Sequence, residues 1–374
     1  MSASISLNDA AAARAWFADV VEPLADSFDP ANVDRYVRLF ADVLEQAGAG
    51  RASDIAARYE RVRAARHFTG PDPADVFVLS RVTLGADAAI TSVLLDAAKR
   101  RFPKARVWFA GSAKGRELFI GDARIGHAPA GYQRTGSIAD RIAASVSLQT
   151  VLDRPGAIVI DPDSRLTQLG LVPVCAEDRY YFFETRASTE PGTLGELASQ
   201  WAQRTFGVDG ARAWLAPPAA SVTADIAVSL GVGENPAKRL NDPFERRLLE
   251  SLAALGATVV DRGAGGEESE RVERASQGLS NVSLFEGSFA AFVGIVKASR
   301  AYVGYDSAGQ HAAAACGTPL ATVFAGYPNQ RFLERWRPSG AGPSEILRAD
   351  RMPPQEIVAR VTELAAGWLK PYKS

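Results

Sequence analysis

Short apolar runs that alternate with helical stretches are the feature that most constrains the fold of this chain. Such runs occur at 76–79, 105–110 and 157–160, and the pattern starts again at 226–230. Strands buried on both faces of a parallel sheet are continuously apolar, and the helices between them cover the sheet. The sequence therefore predicts an α/β fold with two Rossmann-like parallel sheets.

A proline-containing segment separates the two halves. Pro217 and Pro218 cannot occupy a central strand or the interior of a helix, so we place a linker there. With 374 residues the chain is also too long for one hydrophobic core, which stops growing at roughly 250–300 residues. We expect an N-terminal domain at 71–216 and a C-terminal domain at 217–374, and we leave open whether the last helix packs back on the N-terminal domain.

Residues 1–70 precede the alternating pattern and have helical periodicity. Tyr36, Phe40 and Leu44 fall on one face of a helix that ends near Gly48. We therefore expect a helical N-terminal extension. A face of this kind usually packs on a neighbouring domain, and a contact with a partner or with a second copy of the chain is the alternative.

The charges of the chain are balanced, with 42 Lys and Arg against 43 Asp and Glu, so no basic field is present to bind nucleic acid. Cys175 and Cys316 are far apart and have no CxxC or Cys/His spacing, which argues against a metal site and a disulfide framework. No apolar run approaches the ~18 residues of a membrane-spanning helix. We expect a cytoplasmic protein without a transmembrane segment, a bound metal or a nucleic-acid partner.

Polar residues that follow the strands are the candidates for chemistry, because ligands of open α/β sheets bind at the carboxyl ends of the strands. In the loop after 76–79, Gly85 permits a tight turn and Asp87 stands where a helix begins. Asp87 is either the cap of that helix or a general base that faces the ligand.

The loop after 226–230 has the residues of a diphosphate site. Gly231 and Gly233 allow backbone N–H groups to approach an anion, and Lys238 with Arg239 supplies positive charge. The segment has neither the Walker A order nor the G-x-G-x-x-G order. A solvated loop with exposed cations is the alternative.

The most informative loop follows a later apolar run. Asp306 and Ser307 end this run, and a helix of very small residues begins directly after them with Ala308 and Gly309. The N–H groups at the start of such a helix can approach a phosphate closely. His311, one of three histidines in the chain, lies in this helix and is either functional or structural.

A fourth loop carries Glu267 and Glu268 after a glycine-rich turn. An acid in this place accepts hydrogen bonds from ribose hydroxyls in other nucleotide sites. The acidic first turn of a helix is the alternative for both glutamates.

Taken in order, these segments resemble the family 9 glycosyltransferases, whose best-known members are the ADP-heptose:lipopolysaccharide heptosyltransferases. The resemblance covers the chain after the N-terminal extension and is strongest at 306–319, which is similar to the family segment D-[ST]-G-x-x-H-x-A-A-x-x-G-x-P. The segment 84–87 resembles the family's L-G-D with Ala86 inserted. Lys238 and Arg239 resemble the start of the family's K-[RQ]-W-P, with Leu and Asn at the last two positions.

The resemblance implies a GT-B architecture of two facing Rossmann-like domains, with the acceptor on the N-terminal domain and the nucleotide sugar on the C-terminal one. It implies an inverting, metal-independent transfer of a heptose-like sugar to a hydroxyl group of a glycan, glycolipid or protein. The nucleotide sugar, ADP-linked in the best-known relatives, is a substrate, and no other cofactor is implied. The protein would be cytoplasmic or peripheral at the inner membrane surface.

The resemblance also implies roles for single residues. Asp87 would be the general base toward the acceptor hydroxyl, and Arg81 would help to hold the acceptor. Lys238, the start of the helix after Asp306, and His311 would stabilise the diphosphate. Asp306 would also orient the transferred sugar, and one of the two glutamates after the glycine-rich turn would contact the donor ribose.

Two alternatives to sugar transfer stay open, because a fold does not fix a function. The first is a sugar-nucleotide epimerase or hydrolase of the GT-B fold. The second is a catalytically silent binding or scaffold protein, which would contact its partner through the helical extension. Binding of nucleoside diphosphates separates an enzyme from a scaffold, and turnover with and without an acceptor separates transfer from hydrolysis.

Overall fold

The computed structural model describes residues 6–233 and 235–370. They form two compact units, and each unit contains one parallel sheet. The first unit consists of the described residues up to Thr83, of Ile90–Arg116 and of Asp122–Arg212. The second consists of Leu84–Ala89, Glu117–Gly121 and the described residues from Ala213 onward.

The described strands are β1 Asp75–Leu79, β2 Arg106–Gly111, β3 Ile125–Pro129, β4 Ala157–Asp161, β5 Tyr180–Phe182, β6 Ile226–Ser229, β7 Thr258–Asp261, β8 Val282–Phe285, β9 Ala301–Tyr305, β10 Leu320–Phe324 and β11 Ser344–Arg348. The described α-helices are α1 Ala10–Trp16, α2 Glu22–Ala25, α3 Pro30–Gln46, α4 Ala52–Arg63, α5 Leu84–Ala86, α6 Ser92–Arg101, α7 Ala113–Glu117, α8 Ile138–Ser147, α9 Gln149–Leu152, α10 Leu194–Phe206, α11 Phe244–Ala253, α12 Gly266–Ser276, α13 Phe289–Ala298, α14 Ala308–Cys316, α15 Gln330–Arg335 and α16 Pro354–Leu369.

The first sheet has the strand order β3-β2-β1-β4-β5, and all neighbouring strands are parallel. Val78 of β1 lies opposite Phe109 of β2 and Ile160 of β4. Every residue of β1 and β4 is buried, because helices cover both faces of these central strands. Their carboxyl ends therefore lie together at one edge of the sheet.

The N-terminal extension is part of the core of the first unit. Phe40 and Leu44 of α3 belong to the same buried cluster as Phe77 and Leu79 of β1. The Tyr36 hydroxyl also donates a hydrogen bond to the Gln168 backbone oxygen at 3.1 Å. The helices before β1 thus cover part of the first sheet.

The second sheet has the order β11-β10-β9-β6-β7-β8, again with parallel neighbours. The last helix packs within this unit, since Ile357, Val361 and Ala365 of α16 share a buried cluster with β6 and β9. The predicted α/β fold with two Rossmann-like sheets is confirmed. Among the described helices, none has both the length and the apolar character needed to cross a lipid bilayer.

Two strands of the structure were not predicted from the sequence. Both β3 and β11 lie at the edge of a sheet. Each is only partly buried and includes polar residues, such as His127 in β3 and Glu345 in β11. A partly exposed edge strand does not have the continuous apolar run that identifies a central strand.

Candidate active site

Lys238 and Asp306 form an ion pair at the carboxyl edge of the second sheet. Lys238 ends a short 3-10 turn after β6, and Asp306 follows β9, which is the neighbouring strand. The Lys238 Nζ lies 2.8 Å from Asp306 Oδ2 and donates a hydrogen bond to the Asp306 backbone oxygen at 3.3 Å. The two side chains are 18% and 4% exposed, so the pair is largely shielded from water. Two loops that are distant in sequence thus meet in one site.

Gln310 holds the other oxygen of the Asp306 carboxylate. Its Nε2 donates a hydrogen bond to Asp306 Oδ1 at 2.6 Å and a longer one to the Trp336 backbone oxygen at 3.4 Å. Sequence analysis did not single out Gln310, although it follows Asp306 by four residues at the start of a helix, where side chains meet. Because Lys238 and Gln310 contact different oxygens, the carboxylate has one defined orientation.

His311 is a neutral imidazole in this site. It is 5% exposed, and its ring lies 5.6 Å from the ring of Trp336. Burial, with a smaller effect from the nearby Lys238 charge, lowers the pKa of His311 to about 3. Its Nδ1 is buried and has no hydrogen-bond partner among the described residues. A neutral imidazole can form one hydrogen bond to a ligand through this nitrogen without adding charge.

The lowered pKa predicts a pH dependence of stability. The unfolded chain binds a proton at His311 near pH 6.5 and the folded chain only near pH 3, so stability decreases as the pH falls from about 6.5. This group should contribute a loss of about 1.4 kcal/mol per pH unit. We expect that His311→Asn flattens the dependence of the unfolding free energy between pH 6.5 and 4.5, as measured in urea titrations. An unchanged slope in the variant would show that folding does not lower the pKa of His311.

The turn before Asp87 packs on the helix that follows Asp306. A Cβ atom on Gly85 would lie 3.1 Å from the Cα of Ala308 and 3.4 Å from the Cδ2 of His311. Only glycine allows this approach without a shift of the neighbouring backbone. Asp87 follows Gly85 by two residues, which span at most about 7–8 Å. The structure thus places the turn of Asp87 beside the start of α14.

Asp87 begins a π-helical turn in a continuous helix. This turn, Asp87–Thr91, lies between α5 and α6, and Asp87 is 1% exposed. A π turn closes hydrogen bonds from i to i+5 and so contains one residue more than an α turn. The turn Asp87–Thr91 follows directly after Ala86, the residue that is inserted relative to the L-G-D segment of the family. The helix therefore accommodates the extra residue locally, at the residue for which a catalytic role is predicted.

Glu268 is the glutamate that lies beside the loop after β6. A Cβ atom on Gly231 would come within 2.7 Å of Glu268 Oε1, so the carboxylate borders this loop. Burial raises the pKa of Glu268. Glu267 is exposed in the first turn of α12, and Gly233 adopts a left-handed φ of 62°. The sequence did not distinguish the two glutamates as candidates for a ligand contact. In the structure Glu268 borders the loop after β6, and Glu267 is exposed.

Arg239 does not contact the pair of Lys238 and Asp306. Its guanidinium lies 3.4 Å from Glu245 Oε1 and 3.5 Å from Asp242 Oδ1. Glu245 is 1% exposed and is also paired with Arg271, whose Nη2 donates to the Leu230 backbone oxygen at 2.9 Å. Sequence analysis missed this buried network, because its members are far apart in the chain. This network holds the loop that carries Lys238 at Leu230, before the lysine, and at Arg239, after it.

Arg81 lies in the first unit, at the carboxyl end of β1. Its Nη1 donates a hydrogen bond to Thr185 Oγ1 at 3.2 Å, and burial lowers the pKa of its guanidinium to about 10. The next residue, Val82, has a φ of 72°, which is strained for a β-branched residue. Strain of this kind concentrates at functional sites. Among the described residues, no three His, Cys, Asp or Glu side chains come together as metal ligands would.

The fold agrees with the architecture that the resemblance implied. Two units with parallel sheets, and with polar loops at the carboxyl ends of the strands, are what a GT-B-type fold contains. The ion pair at the start of α14 has the character of a phosphate site, since a helix start and a lysine both favour anions.

Solved structures with a similar fold include family 9 glycosyltransferases. One from Veillonella parvula has a TM-score of 0.59 at 15% identity and covers 80% of this chain and 97% of its own. The E. coli heptosyltransferase WaaC with ADP has a TM-score of 0.60 at 15% identity, with 78% and 99% covered. E. coli ADP-heptose lipopolysaccharide heptosyltransferase II has a TM-score of 0.54 at 17% identity, with 78% and 99% covered.

No family model matches this chain, and no curated protein matches it by sequence. The likeness to the solved structures therefore shows a shared fold, and the predicted resemblance to family 9 glycosyltransferases is confirmed at that level. The roles of the single residues stay predictions.

Proposed function

We propose that this protein is a glycosyltransferase that moves a sugar from a nucleoside diphosphate to an acceptor hydroxyl. The observation that carries the proposal is the ion pair of Lys238 and Asp306 at the start of α14, next to the neutral His311. Ser307 does not cap this helix with its side chain, so the first N–H groups of α14 remain for a ligand. These groups together suit a diphosphate.

In the proposed reaction the acceptor oxygen attacks the anomeric carbon of the donor as the bond from that carbon to the diphosphate oxygen breaks. Asp87 accepts the proton of the acceptor hydroxyl. Lys238, the N–H groups of α14 and His311 stabilise the negative charge of the leaving diphosphate without a metal ion. A single displacement of this kind inverts the configuration of the anomeric carbon.

Asp306 is proposed to orient the transferred sugar through its hydroxyl groups. The contacts with Lys238 and Gln310 hold its carboxylate in place, which supports this role. Glu268 is proposed to accept hydrogen bonds from the donor ribose, because it borders Gly231 in the loop after β6. Arg81 is proposed to hold the acceptor.

The proposed donor is an ADP-linked heptose-like sugar. Similar structures are described as a heptosyltransferase with ADP and with ADP-2-deoxy-2-fluoro heptose. The proposed acceptor is a glycan, glycolipid or protein.

The proposal is tested by comparing ADP, UDP, GDP and TDP as stabilisers in thermal unfolding, followed by turnover of the matching nucleotide sugar. We expect one nucleotide to raise the Tm, with an increase that saturates as its concentration rises. Release of the nucleotide should depend on a sugar acceptor. Release at the same rate without an acceptor would assign a hydrolase, and no stabilisation by any of the four would assign a binding or scaffold protein.

A further inference from the structure

Three arginines gather at the carboxyl edge of the first sheet. Arg81 follows β1, Arg165 follows β4 and Arg186 follows β5, so their loops start from three strands that are neighbours in the sheet. They are 6%, 8% and 6% exposed. Burial lowers the pKa of the Arg81 guanidinium, and the positive charges of Arg186 and Arg165 lower it further.

The carboxylates of Asp163 and Asp26 form ion pairs with Arg186, one of the three arginines. Asp163 Oδ2 lies 2.7 Å from Arg186 Nη1, and Asp26 Oδ1 lies 3.2 Å from Arg186 Nε. Thr185 donates to Asp163 Oδ2 at 2.8 Å and accepts from Arg81. Both carboxylates therefore contact the same arginine.

Arg165 has no carboxylate partner among the described residues. Its Nη1 and Nη2 are buried and have no hydrogen-bond partner in the described part of the chain, and the same holds for Nε2 and Oε1 of Gln168. Gln168 is fully buried, three residues after Arg165. A buried guanidinium without a partner is costly, by several kcal/mol in typical cases. The loop after β4 thus contains buried hydrogen-bond donors that have no partner among the described residues.

The N-terminal extension forms the outer wall of the cluster. The Arg165 guanidinium lies 5.7 Å from the ring centre of Tyr36 and 6.0 Å from that of Phe17. Asp26 comes from the same extension, and its side chain is 45% exposed while that of Arg186 is 7% exposed. Asp26 is therefore the most accessible member of the cluster and an anionic one.

We propose that Arg81, Arg165 and Arg186 form a binding site for a compact oxyanion, a carboxylate or a phosphate monoester, and that Asp26 occupies part of this site until the oxyanion enters. The planar forks of arginine match such groups with two parallel hydrogen bonds. An entering oxyanion takes the place of the Asp26 carboxylate on Arg186 and supplies acceptors to Arg165. The proposal concerns the first unit and does not depend on the proposed sugar transfer.

Inorganic phosphate is the first probe. The full-length chain with Lys238→Met is used throughout, because this change weakens phosphate binding in the second unit. We expect phosphate to raise the Tm relative to chloride at equal ionic strength, and Arg165→Met to weaken the apparent affinity at least tenfold. Asp26→Asn should strengthen it several-fold, and this exposed change keeps the test valid if the Arg165 variant does not fold. Arg51→Met is the matched control, since Arg51 is exposed and its ion pair in the described part of the chain is a local one with Asp54.

Two further probes identify the source of the oxyanion. Tighter binding of glucose 6-phosphate or glucuronate than of inorganic phosphate assigns a sugar-borne group, as on an acceptor, and the reverse order assigns a free ion. The proposal is overturned if phosphate has no effect beyond that of chloride, or if Arg165→Met and Asp26→Asn leave its affinity unchanged. Failure of the nucleotide panel would refute the proposed function without touching this result.

Discussion

Lys238→Met is expected to lower kcat for sugar transfer by about 10²–10³-fold. The lysine is paired with Asp306 at the start of α14, so its loss removes a positive charge from the proposed diphosphate position. The affinity for the nucleoside diphosphate should fall as well, because the proposed contact with the lysine exists before and after the reaction. Initial rates at saturating donor and a titration with ADP measure both effects.

The matched control is Lys297→Met, which removes an exposed lysine of the same unit. Since Lys238→Met leaves the Asp306 carboxylate buried without its cation, Lys238→Arg is measured beside it. This variant keeps the charge and should retain more activity than the methionine variant. Equal rates for wild type and Lys238→Met at saturating donor would show that the leaving diphosphate is stabilised by other groups.

Asp87→Asn is expected to lower kcat by about 10²–10⁴-fold while the affinity for the donor nucleotide is retained. A general base accepts its proton only during the reaction, so its loss slows the chemical step and leaves donor binding intact. The acid limb of the pH–rate profile should disappear in the variant, since the asparagine amide has no proton to lose. Initial rates from pH 5 to 9 and an ADP titration provide the comparison.

Asp96→Asn is the matched control for this change, because Asp96 lies in α6 of the same continuous helix and is paired with Arg100. It should leave the rate and the pH profile unchanged. A purely capping role of Asp87 would be shown by a lowered Tm together with an unaltered pH profile of the remaining activity.

The central strands and the edge strands β5 and β8 could be predicted from the sequence, and the edge strands β3 and β11 could not. Strands β1, β4 and β9 are buried on both faces, so their composition alone identifies them. The loops after β1 and β9 were found for the same reason, since ligand sites of such sheets lie at the carboxyl ends of the strands. The partly exposed strands β3 and β11 have no comparable signal.

The contacts within the candidate site could not be predicted from the sequence, because they join residues that are distant in the chain. The sequence pointed to Lys238 and Asp306 separately, and only the structure shows their contact at 2.8 Å. Glu245 and Arg271 carry no local motif, because their role depends on a contact between two helices. The difference between Glu267 and Glu268 depends on which side chain a helix turn directs toward a neighbouring loop. Such information is absent from spacing and composition.

The helices that precede β1 affect how far the chain can be shortened from its N-terminal side without loss of stability. The region that resembles known glycosyltransferases starts after them, and yet Phe40 and Leu44 belong to the same buried apolar cluster as Phe77 and Leu79. A shortened chain that starts at residue 71 would expose apolar side chains of this cluster to water. The free energy of folding would become less favourable by about 25 cal/mol for each Å² of apolar surface exposed. We therefore expect the N-terminal extension to stabilise the first unit, whose apolar core it shares.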